Sequence, residues 1–254
     1  MWNDTAFFRG LIVGWFALAV VAFALLFFVS APYGRHSRKG WGATVRPRTG
    51  WIIMEALSPL LFGLCFVSGG RMDSAVAWVF LILWEAHYIH RAFIYPFRLR
   101  SRNREMPLAV VSMGIFFNGV NAYLNGRYLF MFSDVYPESW LLDLRFIAGA
   151  LLFIAGYVVN RHADEVLRRL RGPGEKGYRI PYGGLYRWVS CPNYLGEIMT
   201  WAGWALATWS LPGLAFAVWT VANLAPRARS HHRWYIEQFP NYPPARKALL
   251  PGIW

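Results

Sequence analysis

The chain has 254 residues and a formal net charge of +13, yet only 15% of its side chains are charged against 56% hydrophobic and 18% aromatic. Soluble globular domains carry about 25% charged residues, and a soluble nucleic-acid binder shows its basic excess on a polar surface, whereas here the charges sit between long apolar blocks. Composition therefore excludes a soluble domain and a nucleic-acid partner, and predicts an all-α, multi-pass membrane protein in contact with lipid.

About 20 apolar residues cross the hydrocarbon core as a helix. The first such run, 10–34, is uncharged over 25 residues. It is too long for a signal-peptide core, and Tyr33-Gly34-Arg35 is no small-residue cleavage site, so it reads as a span. The second run, 51–70, is interrupted by Glu55, and the third, 74–94, by Glu85 and Arg91. The fourth, 106–126, carries no charge, and the fifth, 139–160, holds Asp143 and Arg145. A last uncharged stretch, 198–226, contains Ser210-Leu211-Pro212-Gly213, a turn signal that divides it. Spans at 195–210 and 212–226 bring the expected total to seven transmembrane helices in one domain, 1–254.

The basic residues give the orientation. Of 26 Lys and Arg, 22 fall in segments 35–48, 91–105, 161–187 and 227–254, which alternate along a seven-span chain. The positive-inside rule puts these segments, and the C-terminus, in the cytoplasm; six spans would scatter them over both sides. A bacterial inner membrane and the endoplasmic reticulum fit this bias equally. The two cysteines, Cys65 and Cys191, offer neither a disulfide framework nor ligand spacing. The six histidines include His87-x-x-His90 and His231-His232, too few for the repeated boxes of a membrane di-iron site, so no metal is expected.

Acids inside spans are the sharper signal, because a charge in the bilayer is expensive and is usually kept for function. Glu55, Glu85 and Glu197 are such residues. Each is open to two explanations: a carboxylate paired with an Arg, Tyr or Trp of a neighbouring helix, or a working acid. Glu85 and Tyr88 lie three apart, on one helix face. A buried Tyr hydroxyl near a protonated carboxyl group suits donation to a developing oxyanion, and a satisfied interhelical network would use the same residues. After the fifth span come Asn160, His162, Asp164, Arg168, Arg169 and Arg171. These suit a phosphate- and ribose-bearing cofactor, or a basic face drawn to anionic headgroups. Gly183-Gly184 is a loop signal, and the chain has no dinucleotide-binding glycine fingerprint, so any nucleotide is held without a Rossmann unit.

Several motifs together, in order and spacing, resemble the steroid 5α-reductase family, close to its type 2 members. They are His87-Tyr88-Ile89-His90-Arg91, Tyr178-Arg179-Ile180-Pro181-Tyr182-Gly183-Gly184-Leu185, Pro192-Asn193-Tyr194-Leu195-Gly196-Glu197, Ala205-Leu206-Ala207-Thr208-Trp209-Ser210-Leu211-Pro212, and the tail Tyr242-Pro243 with Arg246-Lys247-Ala248-Leu249-Leu250-Pro251. The likeness runs from about residue 30 to the end. It implies a seven-helix membrane enzyme whose cytoplasmic loops cover an NADPH site, reducing the 4,5 double bond of a 3-oxo-Δ4-steroid, with no obligate protein partner. By the same resemblance Glu55 and Tyr88 hold the 3-ketone, and a carboxyl group in an apolar pocket can stay protonated and donate. Cofactor roles are implied for Asn160, Asp164, Arg171, Tyr178, Arg179, Asn193, Glu197, Arg227, His231 and Tyr235, and for Tyr33 and Arg35. One departure is Met54, where the family often has Gln before the acid; it makes the steroid end less polar.

Two other classes compete. Cys191-Pro192-Asn193-Tyr194-Leu195-Gly196-Glu197 also resembles isoprenylcysteine-type membrane methyltransferases, which use S-adenosylmethionine, but Ser190-Cys191 replaces their Arg-His and methyl transfer has no task for Glu55 and Tyr88. A seven-helix transporter would use the intramembrane acids without accounting for the Arg/Asn/Asp-rich face.

Overall fold

A computed structural model describes residues 2–29, 40–99, 105–170 and 177–254. Helices dominate it, and four of them are long and apolar enough to cross a membrane: Thr5–Phe28, Pro47–Ser68, Leu108–Phe132 and Leu144–Arg169. The chain forms two compact units, Met1–Ala31 with Ala148–Trp254, and Pro32–Ile147. Each is described by itself.

The Pro32–Ile147 unit is built on α2 (Pro47–Ser68), α3 (Ala75–Ile89) and α5 (Leu108–Arg127), with a single-turn α4 (Tyr95–Arg98) between the last two. Small side chains let α2 and α5 approach closely, the usual device where lipid offers no hydrophobic drive. A Cβ on Gly114 would lie 2.8 Å from the Met54 sulfur, and one on Gly126 2.8 Å from the Cys65 Cβ. Partners thus advance together, 54 with 114 and 65 with 126, so α2 and α5 run parallel. On α3 and α4 they run backwards: Phe66 meets Trp78, Phe62 stacks on Trp84 at 4.4 Å, and Trp51 meets Tyr95 of α4. α3 is therefore antiparallel to α2. Ser74 caps α3 by accepting from the Ala77 amide at 3.3 Å, and Glu138 accepts from Ala75 N at 3.1 Å, which satisfies two amides that the first turn leaves over. Strands β1 (Thr44–Val45) and β2 (Met106–Pro107) pair antiparallel at the start of α2 and α5.

The far end of this unit is tied by one cation. Arg71 donates to the Leu129 carbonyl at 2.8 Å, the Ser133 hydroxyl at 3.1 Å, the Asp134 carbonyl at 3.2 Å, and the Ser133 carbonyl. Net hydrogen bonds to a charged group contribute about 1.5–3 kcal/mol each when buried, and these are partly screened. Arg71→Ala is expected to destabilise by about 2 kcal/mol, read as a lowered melting temperature; an unchanged melting temperature would count against this tie.

The other unit contains α1 (Trp2–Phe28), most of α6 (Leu144–Arg169), α7 (Pro192–Thr208) and α8 (Leu211–Gln238). Trp219 of α8 donates to the Trp15 carbonyl at 2.8 Å, with the two rings 4.9 Å apart. Four glycines bring α6 and α7 together. A Cβ on Gly149 or Gly203 would stand 2.6 Å from the other's carbonyl oxygen, and Gly156 and Gly196 repeat this. The pairing 149 with 203 and 156 with 196 makes these helices antiparallel.

Helix ends depart from the expected spans at α1, which starts at Trp2 rather than at residue 10, and in three further places. Asp143 and Arg145 do not interrupt a span: residues 138–142 form a 3₁₀ turn, α6 starts at Leu144, and the Asp143 carboxylate accepts from the Arg145 amide at 2.8 Å. At its other end α6 runs on to Arg169, because Glu165 pairs with Arg168 and Arg169 one turn ahead. α8 continues through Pro226 to Gln238, so Arg227, His231 and Tyr235 stand on a helix. The turn between α7 and α8 is where Ser210-Leu211-Pro212-Gly213 puts it: Ser210 caps α8 by accepting from Gly213 N at 3.1 Å.

Candidate active site

The acid end lies within the Pro32–Ile147 unit. Glu55 stands eight residues, about 12 Å of helix rise, inside the N-terminal end of α2. It is 7% exposed, and Tyr88 on α3 is 2% exposed. The two meet through a third side chain that the sequence did not single out. Asn118 of α5, 4% exposed, donates from Nδ2 to the Met54 carbonyl at 2.7 Å and to Glu55 Oε2 at 3.3 Å. Its Oδ1 accepts from the Tyr88 hydroxyl at 3.3 Å. The amide therefore arrives from α5 beside Met54, which has no polar group of its own.

On its other side Glu55 faces a cation. Arg91 Nη2 stands 3.8 Å from Glu55 Oε1, too far for a hydrogen bond. The guanidinium is clamped between aromatic faces, 5.0 Å from the Trp51 ring and 5.4 Å from Tyr95. Arg91 belongs to a π-helical turn, His90–Ile94, that continues α3. Such turns insert one residue into a helix and recur at functional sites. His87 and His90 are buried nearby on the same element. Glu85 is not part of this cluster: its Oε1 has no hydrogen-bond partner and lies towards Gly63, two turns of α2 beyond Glu55.

A second polar cluster lies within the other unit, where the ends of α6, α7 and α8 converge. Buried Asn160 donates to the Asn193 carbonyl at 2.9 Å, and Asn193 Nδ2 to Asp164 at 3.4 Å. Glu197, one turn on from Asn193, is buried and accepts from the Trp201 indole at 3.2 Å. From α8, His231 Nε2 is 3.0 Å from the Tyr194 hydroxyl, which also accepts from Arg227 at 3.3 Å. Tyr178 packs edge-on to Trp234 at 4.8 Å, and Arg179 is exposed. Tyr235 is buried in the unit, its ring stacked on Tyr242 at 5.3 Å. Gly183 and Gly184 have φ of +97° and +51°, left-handed backbone that glycine adopts without strain; the second is also packed against the His162 imidazole. Tyr33, Arg35 and Arg171 lie outside the described residues.

The tail motif serves structure in this unit. Ser190 Oγ is 2.6 Å from both His232 Nδ1 and the Tyr242 hydroxyl. Backbone bonds Ser190 N to Lys247 O at 2.8 Å and Lys247 N to Trp188 O at 2.9 Å complete the clasp. Burial, and then the charge of Lys247, push the His232 imidazole below its ordinary pKa, which suits a neutral ring in this bond. Arg246, 3% exposed, is held between Tyr182 and Tyr242 at 4.8 and 5.2 Å.

Chemically, the first cluster can present hydroxyl and carboxyl donors in a dry setting. The second offers two carboxamides, two carboxylates and several cations, a donor set able to hold an amide and anionic groups of one ligand. Comparison with known proteins agrees with a reductase. Residues 104–254 match the family described as 3-oxo-5-alpha-steroid 4-dehydrogenase. The chain is 40% identical over 258 residues to steroid 5-alpha-reductase DET2 of Gossypium hirsutum, covering 100% of both. It is 41% identical to 3-oxo-5-alpha-steroid 4-dehydrogenase 1 of Bos taurus, covering 93% of each chain. With the Homo sapiens protein of the same name it shares 40% over 93% of this chain and 92% of that one.

Proposed function

The chain belongs to the 3-oxo-5-alpha-steroid 4-dehydrogenase family, oxidoreductases that act on CH–CH groups, and from that premise we propose that it uses NADPH to reduce the 4,5 double bond of 3-oxo-Δ4-steroids to 5α-3-oxosteroids. The buried Glu55–Asn118–Tyr88 network is the observation that carries this reading. A membrane-embedded carboxyl group joined to a phenol is costly unless its protons are used. Methyl transfer has no such need, and transport leaves the Arg/Asn/Asp-rich face without a task.

In this mechanism the Tyr88 hydroxyl turns its proton from Asn118 Oδ1 to the 3-ketone oxygen, and a protonated Glu55 donates to the same oxygen. Donors fixed in a low-dielectric pocket stabilise charge developing there far better than water does. Drawing electron density onto that oxygen leaves C5, the β-carbon of the enone, electrophilic. NADPH, when bound, supplies the hydride that C5 takes up. A proton from solvent or a relay then reaches C4 as the enolate collapses, so one hydride and one proton saturate the bond. Arg91 places its guanidinium beside the acid, with Nη2 3.8 Å from Glu55 Oε1.

The second cluster suits NADPH by the chemistry of its donors. Asn193 and Glu197 would hold the nicotinamide amide, with Asn160 fixing Asn193 from α6. Arg179, Arg227 and His231 would take phosphate oxygens, Asp164 the ribose hydroxyls, and Tyr178 and Tyr235 the walls of the site; Arg171, Tyr33 and Arg35 complete the set by resemblance. Seven spans with the C-terminus in the cytoplasm fit the opposite directions of α2 and α3 and of α6 and α7. In that arrangement α3, α7 and the uncharged first half of α8 are the three spans beyond the four long ones.

A thermal-shift series on detergent-solubilised protein tests the cofactor. NADPH at about 100 times its Kd should stabilise by about 2.7 kcal/mol, NADH less, and S-adenosylmethionine not at all. Stabilisation by S-adenosylmethionine alone would overturn the reading.

A further inference from the structure

We infer that Asn118 is a positioning residue of the reduction, aligning the Glu55 carboxyl and the Tyr88 hydroxyl; this rests on the reading of Glu55 and Tyr88 given above. The direction of the amide is fixed by its shortest contact. The Met54 carbonyl can only accept, so the Asn118 atom 2.7 Å from it is Nδ2. Oδ1 then faces Tyr88, whose hydroxyl must be the donor across 3.3 Å. The second Nδ2 hydrogen faces Glu55 Oε2, also at 3.3 Å, which makes Oε2 an acceptor.

The place of Asn118 in the fold supports this. Its helix, α5, is packed against α2 through Gly114, which seats on Met54, so its reach to the Met54 carbonyl is set by backbone contact. Met54 O is also the carbonyl one turn before Ser58, a buried residue whose hydroxyl has no hydrogen-bond partner. A helical serine ordinarily returns its hydroxyl to that carbonyl, and here the Asn118 amide takes the acceptor instead. Pro59, which follows, has no N–H to give the Glu55 carbonyl. α2 thus lacks the Ser58 side-chain bond to the Met54 carbonyl and the Pro59 amide bond to the Glu55 carbonyl, and Asn118 of α5 takes up the first of these two acceptors.

Kinetics of Asn118→Leu and Asn118→Asp, beside Glu55→Gln, Tyr88→Phe and Asn118→Leu/Glu55→Gln, test the assignment. Asn118→Leu should lower kcat by about 100-fold, the cost of misplacing a reacting group, with NADPH affinity within twofold of wild type. The double variant should fall little below Glu55→Gln alone, because one pathway is lost in both. Asn118→Asp keeps the shape but sets an acceptor against two acceptors. Its turnover should recover as pH falls and the introduced carboxyl regains a proton, a steeper rise than the wild type shows. Wild-type kcat in Asn118→Leu, fully multiplicative losses in the double variant, or a wild-type pH profile for Asn118→Asp would overturn the assignment while the reading of the pair stands. Wild-type turnover in both Glu55→Gln and Tyr88→Phe would sink that reading, and this one with it.

Discussion

Glu55→Gln is expected to lower steroid turnover by about 10²–10³-fold, the usual cost of losing one donor to a developing oxyanion, with NADPH affinity left within about twofold. The amide keeps the size of the carboxyl group and can still meet Asn118 and the Met54 carbonyl region, so α2 should hold its place. What it removes is the acidic proton. Steady-state kinetics with a NADPH titration separates the outcomes. A fall in kcat at constant cofactor affinity supports an acid at the ketone. Collapse of cofactor affinity would make Glu55 structural or part of the cofactor site.

The largest effect on stability is expected at the α6–α7 crossing. In Gly156→Val the first added carbon meets the Gly196 carbonyl at 2.6 Å, the Thr200 amide and the Met199 Cβ. Backbone cannot swing aside as a side chain can, so the helices must part. Overpacking costs about 1–3 kcal/mol when side chains can yield, and the upper end or more is expected here. Asn160 lies one turn further along α6, bonded to the Asn193 carbonyl, so parting the helices should also weaken NADPH binding. Gly14→Ala is the contrast: nothing lies within 4 Å of its new carbon, and the better helix former should leave stability equal or up to about 1 kcal/mol higher. Thermal denaturation of both variants checks the pair. Equal melting temperatures would refute the close crossing.

What the amino-acid pattern revealed follows from what carries a signal in one dimension. Uncharged length marks helices in lipid, so α2 and α5 coincide with apolar runs, α1 covers most of the first run though it starts eight residues before it, and a Ser-Leu-Pro-Gly turn marked the break between α7 and α8. Charges misled at helix ends. Arg168 and Arg169 suggested a loop, yet they pair with Glu165 on a continuing helix. Pro226 and the arginines after it suggested the end of α8, which instead carries Arg227 and His231 towards Tyr194. In the site, Glu55 and Tyr88 stood out because an acid and a phenol are conspicuous in an apolar span. Asn118 did not, being neutral within an uncharged run, although Asn118, Asn121 and Asn125 repeat on one face of α5 and all are buried. The link between Glu55 and Tyr88 is tertiary, made by a residue 63 positions from one and 30 from the other, and sequence order cannot express it.

The central claim is tested most directly by following NADPH oxidation by the purified protein with and without a testosterone- or progesterone-like 3-oxo-Δ4-steroid, and by assigning the configuration of the product at C5. The account predicts oxidation only when the steroid is present, one NADPH per double bond, and a 5α product. NADPH consumption independent of the steroid, no turnover of any 3-oxo-Δ4-steroid, or a 5β product would contradict it.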